Sequence, residues 1–289
     1  MEVLKHLLPI LLTVSLALLV VAAGIASSRG DFASVVARPS LLARAFVAIV
    51  VIPVIAAIAI MSAFPISNAA KAGIFLMAIS PVPPLMPGKA MKFGGNAGYI
   101  YGLQGAAALM ALLTVPALGA LGARLYEVHA QFPVGIVARN IFVGLVVPLA
   151  IGLAIGRWLF PKASPALPRT VILVANLLLV AAFVPLLIGA APEMGKLIGD
   201  GTMVAMAIVV VIALAGGHFL GGPSEQDRPT LAVAASLRHP GIALALAGAN
   251  HAAKPVTAAV LLFMLVGMVV LILYQLAMKK RSPVPAAQP

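Results

Sequence analysis

Long apolar runs separated by short polar loops recur along the whole chain. A helix needs about 20 apolar residues to cross the hydrocarbon core of a bilayer, and on that basis the pattern predicts nine transmembrane helices. Their predicted ranges are 7–25, 41–61, 70–93, 98–118, 134–155, 170–189, 202–220, 228–249 and 256–277.

Two of the nine predicted helices are interrupted. The third contains four prolines within seven residues, and each proline lacks a backbone N–H and clashes with the preceding helical turn. The eighth is interrupted at 237–241. Such a break persists inside a membrane only where protein or a water-filled cavity satisfies the backbone, so broken helices indicate a transporter's binding site. The predicted break residues are Ser80, Pro81, Pro83, Pro84, Pro87, Pro240 and Gly241.

Composition agrees with a polytopic membrane protein. The chain is 63% hydrophobic and 9% charged, whereas soluble domains are about half apolar and a quarter charged. The net charge of +12 comes from basic residues in the loops, a pattern of membrane topology rather than of nucleic-acid binding. All seven acidic residues lie in loops or at helix ends, so the intramembrane carboxylate typical of proton and sodium antiporters is missing.

Catalysis is not expected from this sequence. It has no cysteine, which excludes thiolate nucleophiles and cysteine-ligated metals. It also has no glycine-rich phosphate loop, nucleophile triad or cluster of metal-ligand residues. We therefore predict that the protein is not an enzyme and has no catalytic residues, no metal site and no cofactor.

Loop charges predict the orientation. With the C-terminus inside, twelve lysines and arginines fall on the cytoplasmic side and six on the other. Because short cytoplasmic loops are enriched in these residues, we expect the N-terminus outside and the C-terminus in the cytoplasm, in a bacterial inner membrane.

The order of the predicted helices indicates an internal repeat. Each interrupted helix is followed by one continuous helix, so residues 134–277 form a five-helix unit and residues 1–118 the same unit without its first helix. Because a five-helix unit has an odd helix count, the second unit is inverted relative to the first. The predicted fold class is an all-α polytopic membrane protein with an inverted repeat and two broken, crossing helices.

At this point the sequence resembles the bile acid:sodium symporter family in its nine-helix form. The resemblance is carried by Asp31-Phe32, Arg38-Pro39, Pro53, the segment from Ser80-Pro81 to Gly94-Gly95-Asn96, and the segment 231–249. It implies one transporter domain with a core at about 41–118 and 202–277 and a panel at about 7–25 and 134–189. Substrate would bind in the crevice between the core and the panel.

The sodium-ligand residues of that family are replaced in this chain. The family's acidic ligand in the second crossing helix has become Ala234, and its neighbouring glutamine has become Arg238. Only Gln104 among the equivalent side chains offers an oxygen, so we expect no bound sodium ion. By a gapless alignment, the family's ligand positions fall on Ala48, Met86, Pro87, Ile100, Gln104, Ala234, Ala235, Leu237 and Arg238.

Seven polar residues are candidates for substrate binding: Arg238, Lys89, His239, Asn96, Gln104, Tyr99 and Asn176. Arg238 either contacts the substrate and supplies the charge of the missing cation, or caps backbone carbonyls freed by the break. Lys89 either attracts an anion or is an ordinary cytoplasmic loop residue, and His239 either links transport to protons or is a packing residue.

We therefore predict a carrier that moves small or amphipathic organic anions across the lipid bilayer by alternating access without sodium. Its partners would be that substrate and the lipids, with no nucleic acid and no predicted oligomeric state. The alternatives are a conventional sodium-dependent symporter, a carrier of similar architecture resembling auxin-efflux proteins, and a non-transporting membrane sensor.

Overall fold

The structure is all-α, as predicted. The computed structural model describes residues 2–27, 30–126, 129–160, 166–222 and 224–281, and no strand occurs among them. Three residues used in the charge analysis lie outside the described residues: the basic Arg29 and Lys162 and the acidic Glu127. The α-helices are α1 (Glu2–Ala26), α2 (Asp31–Val36), α3 (Pro39–Phe46), α4 (Ile52–Ala63), α5 (Asn68–Ile79), α6 (Met86–Met91), α7 (Ala97–Leu125), α8 (Val134–Ile141), α9 (Val147–Ala154), α10 (Ala166–Lys196), α11 (Thr202–Leu220), α12 (Asp227–Ser236), α13 (Pro240–Ala249) and α14 (Lys254–Arg281).

Short π-helical segments join some of these helices into longer apolar units. Val47–Val51 joins α3 to α4, Phe142–Val146 joins α8 to α9, and Ile155–Leu159 continues α9. Within the described residues, seven units are long and apolar enough to cross a membrane. They are Pro39–Ala63, Ala97–Leu125, Val134–Leu159, Ala166–Lys196, Thr202–Leu220, Asp227–Ala249 and Lys254–Met278.

The two remaining predicted helices contain shorter apolar helices, Ile10–Ala26 and Asn68–Ile79. The second of these is α5, which ends at Ile79 just before the proline-rich segment. Because the prolines there cannot donate backbone hydrogen bonds, the chain becomes helical again only at Met86, where α6 begins.

The loop between the first two predicted helices contains an additional helix, α2, which the apolar pattern did not predict. It packs against α7. A side chain at Gly102 in α7 would collide with the backbone carbonyl of Asp31, so the absence of a side chain there permits this close approach. Asp31 also lies in the first turn of α2, where a negative charge is favourable.

The long helices pack in two sets that contact each other through α10 and α14. In the first set α1 lies along α9 and α10, and in the second α5 lies on α14 and α11 lies on α12 and α4. One large cluster of buried apolar side chains is centred on α5, α11 and α14, and a second one joins α6, α7 and α12. The division into a core and a panel and the inverted repeat remain predictions.

Glycines determine how closely α11 and α12 approach: Gly217 within α11, and Gly221 at its C-terminal cap, where an added Cβ atom would collide with the backbone of Arg228. A Cβ atom at Gly217 would lie 2.5 Å from the carbonyl oxygen of Leu231 and 2.7 Å from the Cα of Ala232. Only glycine allows the two backbones to meet at this distance, so Gly217 holds α12 directly against α11. α12 leads into the second interrupted segment, which contains Arg238.

Candidate substrate-binding cavity

The two interrupted helices contact each other at their breaks. α12 ends at Ser236, Leu237 and His239 are extended, and α13 begins at Pro240. The backbone N–H of His239 donates a hydrogen bond of 2.9 Å to the carbonyl of Pro81, in the break that follows α5. Backbone groups freed by one break are thus partly satisfied by the other, as burial in a membrane requires.

Arg238 connects the same two helix ends through its side chain. Its Nη1 donates to the carbonyl of Ser80 at 3.2 Å and its Nη2 to the carbonyl of Ala235 at 2.6 Å. Ser80 is the C-terminal cap of α5, and Ala235 lies in the last turn of α12. The C-terminal ends of helices carry partial negative charge, so the guanidinium stabilises both ends at once. The capping interpretation of Arg238 therefore agrees with the geometry.

The guanidinium has no carboxylate partner among the described residues. The side chain is only 6% exposed, and the ion pair found in the described part of the chain joins Lys196 to Glu193 instead. A guanidinium has five N–H donors, and the two carbonyls use two of them.

A cavity of about 1260 Å³ lies against the breaks. Its lining comes from α1 and α10 and from the segment 83–92, the second break, α13 and α14. Ligand pockets for small organic molecules are typically about 300–1,000 Å³, so this cavity is large enough for a bulky substrate. Most of its lining is aliphatic or aromatic, and none of the acidic residues in the described part of the chain lines it. The polar lining residues are Lys89, Lys92, Tyr101, Arg169, Asn176, Ser236, Arg238 and His239.

Four of the seven predicted binding residues line this cavity: Arg238, His239, Lys89 and Asn176. The break residues Pro83, Pro84, Pro87, Pro240 and Gly241 line it as well. Ser80 and Pro81 lie beside a second space of about 10 Å³, which they share with Arg238. Arg238 thus lines both the large cavity and the small space beside the first break.

Asn96, Tyr99 and Gln104 do not line the large cavity. The Asn96 side chain caps α7, where its Oδ1 accepts a hydrogen bond of 3.0 Å from the backbone N–H of Tyr99. The Tyr99 hydroxyl and the Gln104 Oε1 are buried and have no hydrogen-bond partner among the residues that the structure describes. Gln104 Nε2 donates to the carbonyl of Val82 at 3.4 Å, so this side chain contacts the first break without reaching the cavity.

His239 has a structural role in addition to its position on the cavity wall. Its Nδ1 accepts a hydrogen bond of 3.3 Å from the backbone N–H of Ile242 and so caps the start of α13. An accepting Nδ1 carries no proton, so the ring in this arrangement is the neutral form with its proton on Nε2.

Sequence reasoning did not select Lys92 or Arg169 as binding residues, although both line the cavity. Lys92 had a local signal because it lies three residues after Lys89, and residues at this spacing share a helix face. Arg169 had no such signal, since only the packing of α10 brings it to the cavity.

Comparison with known proteins agrees with this architecture. A search of curated protein sequences finds no match. The family model described as "Sodium Bile acid symporter family" matches residues 13–219, well over half of the chain. The match ends one residue before the end of α11, ahead of the segment that contains Arg238. The chain is thus an integral membrane protein and belongs to the sodium bile acid symporter family of transporters.

Proposed function

We propose that the protein is a secondary transporter of small or amphipathic organic anions in which Arg238 supplies the positive charge that sodium supplies in its relatives. The observation that carries this proposal is the bond from Arg238 Nη2 to the carbonyl of Ala235. Ala235 falls on a sodium-ligand position of the family, so a fixed cation lies beside a backbone oxygen at that position.

The remaining family ligand positions also fit sodium poorly. Ala48, Ile100 and Ala234 are fully buried and offer no side-chain oxygen. Gln104 has one unpartnered oxygen, but sodium needs several oxygen ligands, and a carboxylate usually anchors them. A cation at about 4 Å from the guanidinium would be repelled by about 4 kcal/mol at the effective dielectric typical of proteins. These residues support transport without sodium.

The cavity supports an organic anion as the substrate. Arg238 lines it and presents N–H donors that suit the planar geometry of a carboxylate. The apolar walls remove the remainder of the ligand from water at about 25 cal/mol per Å² of buried apolar surface. In this proposal the α1–α9–α10 set moves against the helices that carry the breaks, and the cavity opens to each side of the membrane in turn.

Ligand-induced thermal stability tests the proposal. Purified wild type, Arg238→Gln and Arg238→Lys are unfolded with and without cholate, in sodium chloride and in choline chloride. A ligand at 100 times its dissociation constant adds about 2.7 kcal/mol to stability. We expect cholate to stabilise wild type equally in both salts, Arg238→Lys to retain part of this effect, and Arg238→Gln to lose it.

Lys254→Gln is the matched control, since it removes one exposed positive charge that does not line the cavity. Each variant is compared with its own ligand-free melting temperature, which separates loss of binding from loss of the carbonyl caps. Stabilisation in sodium alone would instead indicate a conventional sodium-dependent symporter. Equal stabilisation of Arg238→Gln would contradict the role of Arg238. Counterflow of labelled cholate in proteoliposomes distinguishes a carrier from a sensor, because only a carrier exchanges the label.

A further inference from the structure

We propose that the cavity has a second anion-binding point, formed by Lys89, Lys92 and Arg169, and that the preferred substrate is an elongated molecule with an anionic group at each end. This inference rests on the proposed function, because it assumes that the first anionic group binds at Arg238. The three residues are called the basic triad below.

The first two members of the triad lie at the end of α6, with Lys89 in its last turn and Lys92 as its C-terminal cap. Lys89 and Lys92 are three residues apart and both line the cavity. Side chains at this spacing are neighbours on a helix, and like charges placed so are mutually destabilising. Lys89 is half-buried, so water screens its charge less than that of an exposed lysine. A cavity wall with this arrangement is stabilised by an anion that binds between the two ammonium groups.

The third member comes from a different helix. Arg169 lies in the first turn of α10 and lines the same cavity. Asn176, also on the wall, follows seven residues later, which at 1.5 Å per residue places it about 10 Å further along the helix axis. An anion at the triad would therefore contact both helix sets. The residues of α10 that line the cavity after Arg169 are apolar or neutral.

The triad and Arg238 belong to different parts of the cavity lining. Arg238 lies in the second break, whereas Lys89 and Lys92 follow the first break and Arg169 lies at the start of α10. The cavity also follows α10 from Pro168 to Leu187, a length of about 28 Å at the α-helical rise. An elongated ligand can extend along this space, with its apolar middle against the aliphatic walls.

Charge balance favours two anionic groups over one. Among the residues that the structure describes, four cationic side chains line the cavity and no acidic side chain does. A monoanion at Arg238 leaves the triad without a counterion inside the cavity, whereas a dianion neutralises both regions. A charge-assisted hydrogen bond contributes about 1.5–3 kcal/mol, so the second group should improve affinity roughly tenfold or more. The phosphate of an anionic lipid has the same charge chemistry, and the experiment must separate this source from the substrate.

The test compares sebacate with decanoate, which differ only in the second carboxylate. Dissociation constants are measured by calorimetry for the full chain in phosphatidylcholine nanodiscs. We expect sebacate to bind wild type at least about tenfold more tightly than decanoate. The double variant Lys89→Gln/Lys92→Gln and the single variant Arg169→Gln should lose this advantage and bind decanoate as wild type does. Lys254→Gln, which removes a charge outside the cavity, should retain it.

A second arm repeats the measurements in nanodiscs that contain phosphatidylglycerol. If sebacate has no advantage over decanoate in phosphatidylcholine and phosphatidylglycerol stabilises wild type but not the triad variants, the triad binds lipid headgroups and the proposal is wrong. Failure of sebacate to bind wild type also overturns it, even when cholate binds through Arg238. Only failure of cholate to bind would count against the proposed function as well.

Discussion

The contact between α11 and α12 predicts a loss of stability when Gly217 is replaced by alanine. α12 leads into the interrupted segment that contains Arg238, so a shift of α12 also affects that segment. A Cβ atom added at Gly217 would lie 2.5 Å from the carbonyl oxygen of Leu231, whereas ordinary contacts lie at 3.4–4 Å. The obstructing atoms belong to the backbone of α12, so no side-chain rotation relieves the clash. Gly217→Ala therefore forces the two helices about 1 Å apart, which overpacking data suggest costs about 1–3 kcal/mol.

Gly189 in α10 provides the matched control. It also lies inside a helix, but a Cβ atom there would meet nothing within 4 Å. Replacing a helical glycine with alanine stabilises by about 0.5–1 kcal/mol, and this gain is common to both positions. The stability difference between Gly217→Ala and Gly189→Ala therefore isolates the clash.

Unfolding of both variants in the same mixed micelles measures this difference. We expect Gly189→Ala to be slightly more stable than wild type and Gly217→Ala to be about 1–3 kcal/mol less stable than Gly189→Ala. The displacement of α12 should also weaken cholate binding in Gly217→Ala. Equal stability of the two variants would refute the close approach of α11 and α12 on which this reasoning depends.

Two further predictions concern the loops. Asn250 exchanges hydrogen bonds of 2.6 and 2.8 Å with the backbone N–H and carbonyl of Gln131, so it ties the segment after α7 to the end of α13. Because these groups are exposed, Asn250→Ala should lower the free energy of unfolding by about 1 kcal/mol per bond at most. It should also increase hydrogen exchange at the Gln131 amide, and unchanged exchange there would contradict these hydrogen bonds. At Asp200 the hydrogen bond from the Thr202 side chain is the largest cause that lowers the pKa of the carboxyl below its usual value. The ionised Asp200 carboxylate therefore stabilises the fold above its ordinary pKa of 3.8, and this stabilisation is lost as the pH falls through the lowered pKa. The difference in melting temperature between wild type and Asp200→Asn should be constant near neutral pH and shrink in acid.

The broken helices were predictable because their signals are local. Prolines at 81, 83, 84 and 87 remove backbone donors wherever they occur in a helix. The same holds for the apolar runs, whose length alone indicates a membrane crossing. Residue identity also indicated that Arg238 is exceptional, since an arginine within an apolar run is costly unless it has partners.

The partners themselves were not predictable from local signals. Arg238 donates to the carbonyl of Ser80, 158 residues away in the chain, and Arg169 and Lys89 line the same cavity from different helices. Tyr99 and Gln104 are candidates for substrate binding from the sequence, and in the structure both are buried in α7 and do not line the cavity. A helix turns about 100° per residue, so which face of α7 meets the crevice depends on how its neighbours pack.

The sequence by itself determined the class of the protein, the order of its apolar segments, the two breaks and the family resemblance. These properties depend on residue type and spacing, which the bilayer and the backbone chemistry of proline convert directly into structure. Only the tertiary structure decided which cations share a cavity, which helix ends Arg238 caps and which polar side chains are turned away. Those outcomes depend on the rotation and close approach of helices, as at Gly217, and contacts between distant segments set them.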